Sequence, residues 1–331
     1  MKLGTLRAGG RDGTLIVVDK TGSMGLRVPY IAPTMQAALD DWSTTGPKLQ
    51  AVYESLCSGD NGDAFELRIP ALAAPLPRAY QFVDGSAYLA HVERVRRARG
   101  AEMPPSFLED PLMYQAVSDG FLAAHDPVPV TSEDYGIDFE SEVCVITDDV
   151  PMGVSSKQAA HHIKLICLIN DVSLRNLIPA ELGKQFGFLQ GKPRSALSPV
   201  FVTPDELGDA WQDGKVHLPL VTHYNGELFG KPECGEDMQF NFYELIAHAA
   251  KTRPLGAGTI VGSGTIANVD MARGSSCLAE RRVLEVIEHG EAKTPFMSFG
   301  DTIRVEMFDR AGNSIFGAID QRIESAPGPL Q

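Results

Sequence analysis

The chain has 331 residues, of which 44% are hydrophobic and 22% charged, and its formal net charge is −14. Its length exceeds one average domain, and its apolar fraction suffices for a large core. The acidic balance argues against nucleic acid and against an anionic membrane surface as partners, because both are bound through clustered Lys and Arg.

Residues 1–75 are predicted to form a small N-terminal α+β domain. Within it, the aliphatic run Thr14–Val18 predicts a strand. A first amphipathic helix is predicted over Pro33–Trp42, and a second helix is predicted near Lys48–Leu56. Three prolines within segment 69–77 make a stiff connector, and we expect the domain boundary there.

Residues 76–331 are predicted to form the larger domain, which is mostly β with inserted helices. Helices are predicted where apolar residues recur at helical spacing, and strands where short apolar runs are bounded by turn residues. The predicted elements are helices over 86–99 and 242–250, buried strands over 143–147 and 163–169, and a hairpin that pairs 303–308 with 314–319. The expected fold class is α+β, mainly β.

Targeting and redox signals favour a cytoplasmic location. No run reaches the roughly 20 apolar residues of a membrane-spanning helix, and the first residues show no apolar core of signal-peptide length. The five cysteines are scattered and form no Cys-x-x-Cys pair. This pattern is typical of reduced thiols rather than of a disulfide frame or a zinc site.

Two glutamates one residue apart, Glu140 and Glu142, are the most informative feature of the chain. They lie in an apolar run that reads as a strand, so the period of two places both side chains on the same face. Carboxylates held so close repel each other and need a compensating cation, and hard oxygen ligands select Mg²⁺, Mn²⁺ or Ca²⁺. The alternative is that both glutamates face water on an exposed sheet.

Asp171 directly follows the buried run 165–170, at the end of a predicted strand where ligand sites commonly form. Arg175 lies four residues further on, so one helical turn would bring both side chains to the same side. The alternative is a helix cap with a simple ion pair. Together with the two glutamates, Asp171 supplies a third hard ligand for Mg²⁺ or Ca²⁺.

His91 and Lys192 are candidate catalytic residues. His91 lies on the predicted helix 86–99, and an imidazole there could activate water near neutral pH. Lys192 stands between Gly191 and Pro193, which fix the backbone, so its amine could stabilise an oxyanion. The alternatives are a histidine satisfied within the core and a lysine solvated at the surface.

Two glycine-containing segments do not support nucleotide binding. Segment 256–262 has the wrong spacing for a dinucleotide fingerprint, and no βαβ unit surrounds it. Segment 187–193 is too short between its glycines for a phosphate-binding loop and lacks Ser or Thr after the lysine. No bound nucleotide cofactor is therefore expected.

The order of these motifs resembles the fumarylacetoacetate hydrolase family. The similarity extends from about residue 77 to residue 319, and a small N-terminal domain precedes it in the longer members. The matching features are, in chain order, Asp84 seven residues before His91, the pair Glu140 and Glu142, the block Asn170-Asp171-Val172-Ser173-Leu174-Arg175, Gly191-Lys192, Ser263-Gly264-Thr265-Ile266, and Glu280. Each motif alone is weak, but six in the same order make a chance match improbable.

The resemblance implies a mixed β-roll or β-sandwich catalytic domain, with the small α+β domain before it, and a homodimer. It also implies a divalent cation, with Mg²⁺ foremost and Ca²⁺ or Mn²⁺ as alternatives. The implied ligands are Glu140, Glu142 and Asp171, with Asp84 as a candidate fourth. No nucleic acid or membrane partner is implied.

The resemblance further implies the catalytic roles. His91, oriented by Glu280, would take a proton from water, and Lys192 and Arg175 would stabilise the oxyanion. The residues expected to contact substrate are Tyr114, Thr265, Arg175 and Lys192. Three family features lack a clean match. Ile178 stands where the hydrolase has a glutamine, and Ser86 where it has an aromatic residue. The arginine that binds the substrate carboxylate has no clean counterpart, although a basic cluster lies nearby, formed by Arg94, Arg96, Arg97 and Arg99.

The activity implied is hydrolysis of a carbon–carbon bond in a β-diketo acid, with fumarylacetoacetate cleaved to fumarate and acetoacetate in the catabolism of tyrosine and other aromatic compounds. Family members also decarboxylate, hydrate or isomerise 2-oxo acids, which gives the main alternative. A protein that keeps the fold but only binds a metal or ligand is the alternative from another class.

Overall fold

The computed structural model describes residues 1–60, 62–98 and 105–326. Its strands, numbered in chain order, are β1 (Lys2–Leu6), β2 (Thr14–Val18), β3 (Met24–Arg27), β4 (Phe65–Glu66), β5 (Phe82–Gly85), β6 (Met113–Ala116), β7 (Val128–Val130), β8 (Ile137–Asp138), β9 (Ser141–Thr147), β10 (Ile163–Asn170), β11 (Ser173–Leu174), β12 (Ala196–Leu197), β13 (Phe201–Val202), β14 (Trp211–Gln212), β15 (Lys215–Val216), β16 (Leu220–Tyr224), β17 (Glu227–Gly230), β18 (Ile260–Gly262), β19 (Thr302–Met307) and β20 (Ile319–Ser325). Its α-helices are α1 (Met35–Asp40), α2 (Trp42–Ser58), α3 (Leu89–Ala98), α4 (Ser156–Ala159), α5 (Ile178–Gly183), α6 (Phe242–Ala249) and α7 (Leu278–His289).

One large sheet organises the chain. Its strands follow the order β4-β3-β2-β1-β13-β10-β9-β18-β5-β6, and β12 pairs with β10 beside this path. Because β1 pairs with both β2 and β13, the four strands of the first 66 residues share this sheet with seven strands from the rest of the chain. A second sheet has the order β17-β16-β19-β20-β7. The predicted α+β, mainly β class is confirmed.

Strand side chains alternate between the two faces of the large sheet. Both faces are buried, because each packs against another layer of the fold. One face, here called the helix side, packs against α1 and α2, and the other packs against the second sheet. Buried residues on the helix side include Leu15, Val17, Cys144, Leu165 and Phe201, in one cluster with Met35, Leu39 and Leu49 of the helices. Buried residues on the other side include Ile16, Val18, Val145, Ile166 and Val202, in one cluster with Leu220, Val305 and Ile319.

The local predictions agree with the structure in type and differ in their ends. The strand predicted over Thr14–Val18 is β2. The first predicted helix is α1, which is capped by the Thr34 side chain and ends at Asp40. The second is α2, which already begins at Trp42. The helix predicted over 86–99 is α3, and residue 99 lies outside the described residues.

The predicted C-terminal hairpin is wrong in its second strand. β19 pairs with β20, which begins only at Ile319, and segment 314–318 contributes a single bridge from Ser314 to Phe308. The Asp309 carboxylate folds the connection back by accepting hydrogen bonds from the N–H groups of Ala311 and Asn313, at 2.8 Å each. Gly317 then takes a φ of 73°, which interrupts the extended chain before β20 begins.

The state of the cysteines and the length of the apolar helices can also be compared with the structure. All five cysteines are free thiols, and four of them are buried. Across residues 1–60, 62–98 and 105–326, no helix combines the length and the apolar character needed to cross a bilayer.

The turn between β2 and β3 depends on one carboxylate. Asp19 is buried and accepts hydrogen bonds from the N–H groups of Met24 (2.7 Å), Ser23 (2.8 Å) and Thr21 (3.2 Å). Burial raises the pKa of Asp19, but hydrogen bonds from the Thr21 hydroxyl and from these N–H groups outweigh burial and hold it below its usual value. A carboxyl with a depressed folded pKa stabilises the fold above its unfolded pKa of about 3.9, and that stabilisation is lost as the pH falls through the folded pKa.

We therefore expect Asp19→Ala to lower the free energy of unfolding by about 1–2 kcal/mol at pH 7. The difference from wild type should shrink below about pH 4, where the wild-type carboxylate also becomes protonated. Urea unfolding at pH 7 and pH 3 measures both quantities, with exposed Asp63→Ala as the control. Equal losses at the two pH values would contradict a role for the ionised carboxylate.

Candidate metal and catalytic site

Three carboxylates converge because of the strand order and the strand period. Asp84 lies on β5 and Glu142 on β9, and β18 pairs with both strands between them. Asp171 directly follows β10, which is the next strand beyond β9. Each of the three lies two residues from a residue buried on the helix side, namely Phe82, Cys144 and Ile169. The period of two therefore directs all three side chains to that side.

Oxygens of Asp84, Glu142 and Asp171, here called the carboxylate cluster, all lie within 4.8 Å of one another, and the three residues are buried. No donor in the described part of the chain reaches either carboxylate oxygen of Glu142. Burial and the charge of Asp171 raise the pKa of Asp84 to about 8. Burial and the charge of Asp84 raise the pKa of Glu142 well above its usual range. Buried acidic oxygens without donors fit a hard divalent cation.

Two cations hold the neighbouring Glu140. Lys192 Nζ donates to Glu140 and to Asp171 Oδ2, the latter at 2.5 Å. Arg175 donates from Nη2 to Glu140 Oε1 (2.7 Å) and from Nε to Asp138 Oδ2 (2.8 Å). Burial lowers the pKa of Lys192, but the charges of Asp171 and Glu140 outweigh it and raise that pKa, so the side chain is an ammonium ion. Glu140 contacts cations of the protein and lies outside the carboxylate cluster, and its role as a metal ligand stays a prediction.

Two hydroxyl groups donate to Asp171. Tyr114 on β6 stands opposite Asp84 in the register and donates to Asp171 Oδ2 at 2.6 Å. Ser195 Oγ donates to Asp171 Oδ1 at 2.5 Å. The Phe188 ring packs edge-on against Tyr114, with centroids 4.8 Å apart, and both rings line a cavity of about 540 Å³ at the β6 edge of the large sheet. A cavity of this volume can admit a small organic acid.

The predicted base and its partner lie on two neighbouring helices. Glu280 is fully buried in the first turn of α7 and accepts a hydrogen bond from Arg94 Nη1 on α3 at 2.6 Å. His91 also lies on α3, but its side chain is outside the described part of the structure. Thr265 is buried, and the N–H of the glycine before it donates to Asp84 Oδ1 at 3.1 Å. The roles of His91, Glu280 and Thr265 stay predictions.

Asp138 is a residue of the site that the sequence analysis does not identify. It is buried and accepts hydrogen bonds from the N–H groups of Leu278 (2.7 Å) and Ala279 (2.9 Å) at the start of α7, as well as from Arg175. It thus joins the helix that carries Glu280 to the arginine of the site. A signal was available, because the period of two that singles out the glutamate pair also includes Asp138.

Ser195 and Gly262 also shape the site without a signal in the sequence. Gly262 pairs with Asp84 across β18 and β5, and the Asp84 carboxylate occupies the space where a Cβ at Gly262 would lie. Ile178, which replaces the family's glutamine, is buried at the start of α5 and lies against Gly191, next to the site lysine. These placements depend on strand pairing and loop packing that sequence spacing does not give.

We expect Asp138→Ala to destabilise the protein by about 3 kcal/mol, because it removes one carboxylate from a buried arginine and also uncaps α7. Urea unfolding measures the loss, and Asp134→Ala serves as an exposed control from the same segment. A loss below about 1 kcal/mol, the value for an exposed ion pair, would show that Asp138 does not join these elements.

The fold and the carboxylate cluster together define a candidate metal-dependent enzyme. The family described as fumarylacetoacetate (FAA) hydrolase C-terminal matches residues 81–324, and the one described as fumarylacetoacetase N-terminal domain 2 matches residues 1–78. The chain therefore belongs to the fumarylacetoacetate hydrolase family, and the resemblance inferred from the motif order is confirmed.

Curated relatives in this family have more than one activity. The oxaloacetate tautomerase YisK of Bacillus subtilis (strain 168) is 27% identical over 202 residues, which cover 60% of this chain and 62% of that protein. The 2,4-didehydro-3-deoxy-L-rhamnonate hydrolase of Sphingomonas sp. (strain SKA58) is 28% identical over 159 residues, which cover 47% of this chain and 53% of that protein. Matches to such relatives span 50% to 62% of their length. Family membership therefore does not fix a reaction for this chain.

A solved structure supports the fold assignment. Maleylpyruvate hydrolase from Sphingobium sp. SYK-6, in complex with manganese(II) ion and pyruvate, superposes with a TM-score of 0.64 at 16% identity, covering 99% of this chain and 100% of that chain. The two proteins share the fold.

Proposed function

We propose that this chain is a divalent-cation-dependent hydrolase that cleaves a carbon–carbon bond of a β-diketo acid. Fumarylacetoacetate is the leading substrate, with fumarate and acetoacetate as products, and Mg²⁺ is the proposed cation, with Mn²⁺ and Ca²⁺ as alternatives. The observation that carries the proposal is the buried carboxylate cluster beside the ammonium of Lys192. An oxygen-only ligand set next to a buried cation is suited to a substrate on which negative charge develops.

Asp84, Glu142 and Asp171 would hold the cation, which supplies positive charge to the oxygens of an enolate leaving group. The remaining chemistry belongs to side chains. His91, oriented by Glu280, would take a proton from water, and the hydroxide would attack the ketone carbon. Collapse of the tetrahedral oxyanion would then break the carbon–carbon bond, and the proton held by His91 would pass to the carbon of the released enolate.

Lys192 and Arg175, the two basic side chains that contact Glu140, then stabilise the oxyanion. An ammonium has three N–H donors, and the contacts of Lys192 to Glu140 and Asp171 use two of them. The third can donate to a tetrahedral oxyanion, and Arg175 adds positive charge behind it. Tyr114 and Thr265 are the proposed substrate contacts, since Tyr114 lines both the site and the adjoining cavity.

Tautomerisation of a 2-oxo acid such as oxaloacetate is the second candidate. The observation in its favour is that a tautomerase is among the curated relatives, with a match that covers 60% of this chain. The same carboxylate cluster would serve, because both reactions pass through an enolate. The base would then remove a proton from carbon instead of from water.

We further propose a cellular setting. The proposed substrate places the reaction in aromatic compound catabolism, including tyrosine degradation. The family resemblance supports a homodimer, and the free cysteines support a cytoplasmic location.

The test is to incubate the protein with fumarylacetoacetate and Mg²⁺ or Mn²⁺ and to follow loss of the diketone absorbance. The same samples are assayed for keto–enol conversion of oxaloacetate. An EDTA-treated sample and His91→Ala are compared with wild type. His289→Ala, an exposed histidine at the end of α7, is the matched control.

Metal-dependent cleavage that is lost in His91→Ala and kept in His289→Ala is the expected result. Keto–enol conversion without cleavage would replace the hydrolase by the second candidate. Absence of both reactions with bound metal would overturn both proposals and favour a protein that only binds a metal or ligand.

A further inference from the structure

Arg94 has more contacts within the site than any sequence motif suggests. Its Nη1 donates to Glu280 Oε1 at 2.6 Å, and its Nη2 donates to the carbonyl oxygens of Asn268 (2.5 Å) and Val269 (3.1 Å). Its side chain is 12% exposed and that of Glu280 is fully buried. One guanidinium therefore joins α3, α7 and the segment that follows Thr265.

Each element that Arg94 joins carries a residue of the proposed site. α3 carries His91 three residues before Arg94, which is close to one helical turn. α7 carries Glu280 in its first turn, where the helix dipole favours a carboxylate. The segment that follows Thr265 supplies two carbonyl oxygens, those of Asn268 and Val269, which lie three and four residues beyond Thr265.

Two of the partners of Arg94 are also held by other groups. Asn268 is buried, and its side chain exchanges hydrogen bonds with the backbone of Glu233 in both directions, at 2.7 and 3.1 Å. The start of α7 is held by Asp138, which accepts from two of its N–H groups. α3 packs directly against α7, and Arg94 adds the charged hydrogen bond that joins it to Glu280.

We propose that Arg94 is a positioning residue. It holds the Glu280 carboxylate and the segment after Thr265 at fixed positions relative to α3, and so places His91 to take a proton from water. The inference rests on the proposed function, in which Glu280 orients His91. A lysine could keep the charge beside Glu280 but would replace the arginine only in part, because the planar fork of a guanidinium reaches the carboxylate and the two carbonyls from fixed directions. Arg94 itself is not expected to touch substrate.

The test compares Arg94→Met, Arg94→Lys and Arg281→Met in the full chain with Mn²⁺. Arg281 follows Glu280 in sequence, but its guanidinium contacts the Phe229 carbonyl and ring, away from the carboxylate cluster, so it is a matched control. For each variant we would measure kcat, KM, Mn²⁺ affinity and amide hydrogen exchange over residues 265–270 and 277–284.

We expect Arg94→Met to lower kcat about 10- to 100-fold, because a small displacement of a catalytic group has an effect of this order. KM and Mn²⁺ affinity should stay within about twofold of wild type, since neither the cluster nor the cavity includes Arg94. Arg94→Lys should recover part of the loss, and Arg281→Met should match wild type. Exchange should accelerate in both segments for Arg94→Met only.

Unchanged kcat in Arg94→Met would overturn the inference. So would a loss of kcat that is accompanied by an equal loss of Mn²⁺ affinity and not recovered by lysine, since that pattern is general destabilisation. If the wild-type protein converts neither fumarylacetoacetate nor oxaloacetate, the proposed function is wrong, whatever the role of Arg94. The exchange measurement then decides the Arg94 linkage separately, and unchanged exchange would overturn it.

Discussion

Replacing Glu142 with glutamine is expected to abolish divalent-cation binding and turnover while the fold is kept. Both oxygens of Glu142 are buried, and no donor in the described ranges reaches them. The amide that replaces the carboxylate carries no charge and offers one acceptor oxygen. Loss of an outer-shell partner alone costs 10- to 100-fold in metal affinity, so loss of a direct ligand should cost at least roughly 100-fold.

Calorimetric titration with Mn²⁺ and thermal unfolding measure the effect. Wild type should melt at a higher temperature with Mn²⁺, gaining about 2.7 kcal/mol at a hundredfold excess over Kd, and Glu142→Gln should show no such gain. Without metal, the variant should be at least as stable as wild type, because it no longer buries a carboxylate without donors.

Two other glutamates provide comparisons. Glu306→Gln alters a buried glutamate on β19 that is paired with Arg304, and it should bind Mn²⁺ like wild type. Glu140→Gln should lose less affinity than Glu142→Gln if Glu140 serves the site through Lys192 and Arg175. Retained Mn²⁺ binding in the double variant of Glu140 and Glu142 would refute the metal assignment.

Replacing Lys192 with methionine should lower kcat by about 10²–10³-fold, the range seen when one oxyanion donor is removed. Lys192 is buried and its ammonium contacts both Glu140 and Asp171. Removing it also leaves two acids without their shared cation, so the free energy of unfolding of the metal-free protein should fall by about 3–5 kcal/mol. Steady-state kinetics and urea unfolding test the two parts independently.

Lys215→Met is the matched control, because Lys215 is partly buried and donates to the Met238 carbonyl away from the cluster, at 2.7 Å. It should retain wild-type kcat. If Lys192→Met binds Mn²⁺ and turns over substrate at the wild-type rate, Lys192 is a structural cation and the proposed oxyanion role is wrong.

The carboxylates of the candidate site are easier to predict from the sequence than the turns and loops around them, for a physical reason. Glu142 and Asp171 lie at the start of β9 and just past the end of β10, where strand period and apolar runs are strong local signals. Asp84 could be assigned only through its spacing to His91, since its place beside Glu142 depends on β18 pairing in parallel with β5. No local pattern encodes that pairing.

The sequence pattern predicts the ends and pairing of elements wrongly where long-range packing or turn geometry overrides it. The second strand of the C-terminal hairpin was displaced by the Asp309 turn and by the positive φ of Gly317. α2 begins earlier than its apolar spacing indicated, because its first turns pack on the helix side of the sheet. Ser195 has no local signal, because its partner Asp171 lies 24 residues away in the chain. Asp138 shares the period of two with the glutamate pair, but its contact with the start of α7 joins residues 140 positions apart.

The sharing of one sheet by the two predicted domains has a consequence for solubility. β13 is paired on one side by β1 and on the other by β10, the strand that leads to Asp171. A chain lacking residues 1–75 would uncover apolar side chains on the helix side of this sheet, among them Leu165 and Phe201, which cluster with Met35 and Leu49 of the N-terminal helices. Because a large exposed apolar patch promotes aggregation, we expect the shortened chain to precipitate.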